Sequence, residues 1–360
     1  MTKIPACFSE TYAEARAKFL SAAKAAGATL ETHEHPAKGP GGETLATDVA
    51  RIGPADAKSV IALGAGTHGV EGYCGSGLQI ALLETGFADR LPEGSALVLI
   101  HAINPFGFAW SRRVNEDNVD LNRNFIDHDA PYPENPGYEE LKDVINLPDL
   151  EPGTIKQAQE KLLAYAEKNG FPALQYAMSA GQYAHPGGVQ FGGNGPTWSH
   201  LTLKDIVRKH FAPAERIVFI DLHTGLGPRG HGEIISTAAP DSPTYKRMTD
   251  LWGNEVLSTK AEGSVSSNVA GSITDFLAEE LDGKALAACG LEFGTLPITE
   301  VSFALQADNW LWQNGGAENP RAQEVGAIIR GAFYIDEDDW KEEVFKRAEE
   351  VAVKGLKGLE

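Results

Sequence analysis

The chain has 360 residues, is 42% apolar and carries a formal charge of −19, which allows one large domain or two ordinary ones with a sizeable core. Nucleic acid and anionic membrane surfaces both require a cationic face, so this charge argues against either as a partner. No stretch resembles a signal peptide or reaches the ~18 apolar residues of a membrane span. Three scattered cysteines, Cys7, Cys74 and Cys289, read as free thiols in a reducing compartment, so a cytoplasmic location is expected.

In chain order, residues 9–27 repeat apolar positions at helical spacing, with Ser9 as the expected N-cap and Gly27 as the stop. Apolar, β-rich runs follow at 59–63, 96–101, 216–222, 233–237 and 285–293, with helical patterns between several of them, as at 77–84 and 273–281. Strands alternating with helices predict an α/β domain with a largely parallel sheet. Residues 338–359 read as a charged amphipathic helix. Residues 127–200 stand apart, rich in Pro, Gly, Tyr and Asn, with one helical stretch near 154–169. They are expected to form an insertion or long loops beside the functional site. No boundary divides the chain, so residues 1–360 are read as one domain.

The strand at 59–63 runs into Gly64-Ala-Gly-Thr-His-Gly69, formally a dinucleotide-binding G-x-G-x-x-G, with Glu84 near the place of a ribose-binding acid. No complete βαβ unit supports that reading, and it leaves His68 and Glu71 idle. Those two form H-x-x-E at a strand-to-helix turn, where an imidazole and a carboxylate can converge on one cation. The apolar strand from Arg216 to Leu222 ends at His223, the place where open α/β sheets bind ligands. His68, Glu71 and His223 together make a His₂Glu set that leaves a fourth position for water, the catalytic arrangement of zinc. Glu292 lies in the apolar run 286–295, where burial would raise its pKa toward that of a general base. The polar run 111–125 adds Arg123, a planar fork suited to a carboxylate, Asn122 as an amide donor, and Asp120, able to orient a metal-bound imidazole.

Gly66-Thr-His-Gly-Val-Glu71, Val119-Asp-Leu-Asn-Arg-Asn-Phe125, Asp221-Leu-His-Thr-Gly225 and Leu291-Glu-Phe293 occur in the order of the zinc metallocarboxypeptidases, peptidase family M14. The chain resembles that family, and most of all its DUF2817 branch. The resemblance implies a mixed, mostly parallel eight-stranded sheet flanked by helices. It implies Zn²⁺ held by His68, Glu71 and His223, with Glu292 as the catalytic glutamate and Asp120 behind the first histidine. Asn122 and Arg123 correspond to the pair that holds the substrate carboxylate. Arg113 lies where the family has the arginine that polarises the scissile carbonyl, with Arg112 as the competing candidate.

Gly271-Ser-Ile-Thr-Asp275 is similar to the stretch that follows the family's mobile tyrosine, but Ser264, Ser266 and Ser267 occupy the tyrosine's place, and Tyr245 lies too far upstream. The specificity position falls at Ile273 or Thr274. The implied activity is cleavage of an amide or peptide bond next to a free carboxylate. The alternative is an N-acyl amino acid deacylase of the aspartoacylase or succinylglutamate desuccinylase type, which shares the metal motif. The expected partner is therefore a small peptide or an N-acyl amino acid. His185 and Tyr183 are further residues that could reach the site. A binding module without turnover would leave Glu292 unexplained.

Overall fold

The structure is a computed structural model that describes residues 2–261, 264 and 269–360. Eight strands form one sheet: β1 (Thr29–Lys38), β2 (Thr44–Ile52), β3 (Ser59–Ala65), β4 (Ala96–His101), β5 (Arg216–Arg229), β6 (Gly232–Ser236), β7 (Val256–Ser258) and β8 (Ala285–Gly294). Their order is β1-β2-β4-β3-β5-β8-β6-β7. The four central strands β4, β3, β5 and β8 are mutually parallel. The pairings of β1 with β2, β2 with β4 and β6 with β8 are antiparallel, and β7 runs parallel to β6.

The central strands read as unbroken apolar runs because both faces are covered. Alternate residues split between two cores, as a strand requires. Ile61, Leu63, Leu97, Leu99, Val218 and Ile220 face one core, together with Phe19, Leu78 and Trp340. Val60, Ala62, Val98, Ile100, Ile217 and Phe219 face the other, together with Leu203, Ile206, Phe211 and Phe276. The chain leaves β3 toward β4 on one side and later adds β5 on the other. The C-terminal ends of β3 and β5 are therefore a topological switch point, where open α/β sheets form a crevice.

Four parts of the chain depart from the sequence reading. β1 is a polar edge strand in which only His35 is buried, so no apolar alternation announces it. The first helix spans Tyr12–Ala25 and is capped by Thr11, whose side chain accepts from Glu14 N, rather than by Ser9. Residues 127–200 hold helices at Pro136–Ile145, Pro152–Asn169 and Phe171–Ser179, where one was expected. Their apolar faces, with Tyr138, Leu141, Ile145 and Ala177, gather around Leu311 and Val325 in a third cluster. The helix Gly72–Glu84 starts five residues before the pattern suggested. Its glycines let it lie on the sheet, since a Cβ on Gly75 would sit 2.8 Å from the Ala65 methyl.

The turn after β3 is locked from outside. Gly69 N donates to Arg113 O at 3.0 Å and Val70 N to Arg112 O at 2.7 Å. A Cβ on Gly69 would fall 2.1 Å from the backbone carbon of Gly107 and 2.3 Å from Phe108 N. Neither backbone can yield without moving the turn. Gly69→Ala is expected to lower unfolding stability by about 1–3 kcal/mol, measured by denaturant titration, and to weaken metal binding by displacing His68.

Candidate metal centre

Gly66 adopts a left-handed conformation (φ +68) as the chain leaves β3, and a single 3-10 turn, Gly69–Glu71, follows. That turn folds Glu71 back toward His68, placing Nδ1 of His68 2.8 Å from Glu71 Oε1. His223 arrives from β5 and places its own Nδ1 2.8 Å from Glu71 Oε2. The three side chains thus present one nitrogen, one nitrogen and one carboxylate, with ligand atoms all within 4.8 Å of one another.

Each imidazole has an acid behind it. Nε2 of His223 lies 2.5 Å from Asp221 Oδ2, and Thr67 Oγ1 donates to the other Asp221 oxygen at 2.8 Å. Nε2 of His68 lies 3.2 Å from Asp120 Oδ1 without a well-aligned hydrogen bond. Asp120 also accepts from Arg113 Nε at 2.9 Å and from Asn122 N at 3.0 Å. A carboxylate behind each ring fixes its tautomer and aims the opposite nitrogen at the shared centre.

Glu71, Asp120 and Asp221 are at most 1% exposed, and Arg113 touches Glu71 through Nη1 at 3.2 Å. Burial alone would drive carboxyl pKa values up. The neighbouring imidazoles override it at Glu71, and Arg113 with His68 overrides it at Asp120, so both are held well below the usual range. Burial opposes a charge on His223, but Asp221 and Glu71 raise its pKa well above the ordinary histidine value. Three buried acids against Arg113, with buried Arg123 acting on Asp120 alone of the three, leave unbalanced negative charge, and both Nδ1 atoms need a proton to meet Glu71. A divalent cation supplies that charge at the same three atoms and leaves the imidazoles neutral. The donor set and the charge therefore fit zinc with two histidines and one glutamate.

Glu292 pairs with His223 in the β5–β8 register. It is half-buried, and its Oε1 accepts from Leu226 N at 2.9 Å. Burial first, then the Glu71 charge, raise its pKa to about 7. The two arginine candidates separate cleanly. Arg113 sits between Glu71 and Asp120. Arg112 points away, ion-paired to Asp308, bonded to Asn118 Oδ1 and 4.4 Å over the Trp312 ring.

Asn122 Nδ2 lies 3.4 Å from His223 Nε2 while its Oδ1 accepts from Ile273 N. Arg123 adjoins it, but its guanidinium turns to backbone. Nε and Nη2 donate to Ser179 O, and Nη1 donates to Asn122 O. Thr274 pairs with Thr237 by hydroxyl contact at 2.9 Å. Tyr183 donates to Arg123 O, whereas His185 pairs with Glu139 and Tyr245 with Val256 O. Ser264 donates to Glu233; Ser266 and Ser267 lie outside the described residues.

Sequence reasoning missed Asp221. Its signal was D-x-H on a strand, where residues two apart share a face.

A family model described as DUF2817, a protein of unknown function, matches residues 8–347. The chain belongs to the DUF2817 family. No curated protein matches the sequence. Among solved structures, bovine thrombin-activatable fibrinolysis inhibitor in complex with tick carboxypeptidase inhibitor superposes with a TM-score of 0.50 at 10% identity over 97% of both chains. Another thrombin-activatable fibrinolysis inhibitor structure gives 0.50 at 10% identity over 97% of this chain and 74% of that one. Carboxypeptidase A from Helicoverpa armigera gives 0.44 at 14% identity over 90% and 74%. The DUF2817 chain shares the carboxypeptidase-like α/β fold, and identities this low carry nothing beyond the fold.

Asp221→Asn keeps the shape but takes the charge from behind His223. It is expected to weaken zinc binding roughly 10- to 100-fold in competition with a chromophoric chelator. The midpoint of the variant's far-UV thermal transition without metal should stay close to that of the parent.

Proposed function

We propose that this DUF2817 protein is a zinc-dependent hydrolase that cleaves an amide or peptide bond next to a free carboxylate. The observation that carries the reading is the meeting of His68, Glu71 and His223 around one carboxylate, with Glu292 in register beside His223. Zinc held there supplies Lewis acidity and lowers the pKa of a coordinated water toward neutrality.

The remaining roles fall to the chain's own groups. Glu292 takes a proton from the attacking water and returns it to the leaving nitrogen, the task for which a pKa near 7 is suited. Arg113, beside Glu71, stabilises negative charge as it develops on the carbonyl oxygen. Asn122 and Arg123 bind the substrate carboxylate. A guanidinium has five N–H donors, and the three bonds to Ser179 O and Asn122 O leave two for that task. Ser179 belongs to the 127–200 segment, which on this reading forms one wall of the site.

Peptides with free C-termini and N-acyl amino acids, each assayed with and without chelator, separate peptidase from deacylase. Turnover confined to simple N-acyl amino acids would select the deacylase. Glu292→Gln is expected to retain zinc, by elemental analysis, and to lower kcat by about 10²–10⁴-fold. Full activity in that variant would remove Glu292 from the mechanism.

A further inference from the structure

Two adjacent arginines, Arg112 and Arg113, face opposite surroundings, and both are pinned. The Arg112 side chain is 2% exposed and pairs through Nε at 3.2 Å with Asp308, 7% exposed, on the helix Ile298–Gln313. Its Nη2 donates to Asn118 Oδ1 at 2.9 Å and its Nη1 to Asn115 O at 3.4 Å. Its guanidinium carbon lies 4.4 Å from the centre of the Trp312 ring, on the same helix as Asp308. A buried ion pair is often no more stabilising than apolar side chains of the same volume, so stability alone does not account for it.

The backbone of Arg112 shows what the pair fixes. Its N–H donates to Gly107 O at 2.7 Å, and its carbonyl accepts from Val70 N at 2.7 Å. The next carbonyl, that of Arg113, accepts from Gly69 N at 3.0 Å and from Asn104 Nδ2 at 3.4 Å. Successive carbonyls thus hold successive N–H groups of the turn between His68 and Glu71. The Arg113 side chain leaves toward the metal centre, with Nε on Asp120 at 2.9 Å and Nη1 on Glu71 at 3.2 Å. Ser111 and Asn118, at φ +52 and +61, bracket this segment. Non-glycine residues hold such angles where their surroundings over-determine them. Asp308 also decides which guanidinium enters the site, since it pairs with Arg112 while Asp120 and Glu71 pair with Arg113.

Resting on the proposed hydrolase, we propose that Asp308 is a positioning residue: by holding Arg112 it fixes the carbonyls that secure the metal turn and aims the Arg113 guanidinium at the carbonyl oxygen of the substrate. A misplacement of about 1 Å at such a group lowers the rate on the order of 10²-fold.

The kinetic test uses the zinc-loaded full-length protein and the substrate that the parent turns over fastest among C-terminally free peptides and N-acyl amino acids. Asp308→Asn is expected to lower kcat roughly 10- to 100-fold, with KM and zinc content close to those of the parent. The same substitution made on Arg113→Ala should change kcat by less than about twofold, since a residue that acts through Arg113 then has nothing to act on. Arg112→Met combined with Asp308→Leu replaces the pair by apolar groups of similar volume. That variant should unfold no earlier than the parent and show the same loss of kcat, again only where Arg113 is present. It decides the question if Asp308→Asn, with Arg112 left unpaired, fails to fold. A readout independent of zinc and turnover is the Arg113 Nε–H resonance in NMR spectra of the metal-free protein, identified by its loss in Arg113→Ala. It should be sharp in the parent and shifted or broadened in the apolar-pair variant.

Equal losses of kcat with and without Arg113, parental kcat in the apolar-pair variant, or an unchanged Arg113 resonance would overturn the positioning role and leave the hydrolase standing. Absence of metal-dependent turnover by the parent would overturn the hydrolase and this role with it.

Discussion

One carboxylate shared between two imidazoles organises this molecule. Glu71 offers one oxygen to Nδ1 of His68 and the other to Nδ1 of His223, and these groups come from two neighbouring strands, β3 and β5, far apart in the chain. For that meeting β3 and β5 must be neighbours in fixed register, as Ala65 opposite Leu222 requires. The turn after β3 must be tight, which Gly66 and Gly69 allow. Thr67 ties the two segments directly through Asp221. A one-residue slip of β5 would turn His223 and Asp221 to the other face and separate all four groups at once.

Charge explains why such a cluster is unlike an ordinary ion-pair network. Three acids are taken fully out of water, each at a desolvation cost of several kcal/mol, and Arg113 with Arg123 offsets only part of it. Here the balance closes only with protonated imidazoles or with a dication at their nitrogens. The same excess of negative charge acts on Glu292, which burial and Glu71 push toward neutrality. One feature thus accounts for both the affinity for a cation and the availability of a base beside it.

Most of this was legible in the sequence, for physical reasons. Buried central strands declare themselves as apolar runs, so β3, β4, β5 and β8 were readable, and the chemistry-bearing residues sit at their ends. His68, Glu71 and His223 were readable only as a set, since H-x-x-E alone is common by chance and His223 at a strand end completes it. The polar edge strand β1 was not, because its burial pattern gives no periodic signal. Asp221 hid within an apolar strand that seemed explained by its histidine. The geometry of Arg112 and Arg113 could not come from spacing, since adjacent residues with identical side chains differ only in which partners, Asp308 or Asp120, the fold brings to them.

The central claim is that one divalent ion belongs at Glu71 and the two imidazoles. The most direct measurement is isothermal titration of the metal-stripped protein with zinc, alongside His68→Ala, Glu71→Ala and His223→Ala. The account predicts one tight site in the parent and its loss in each variant. Tight one-to-one binding that survives in all three variants would contradict it.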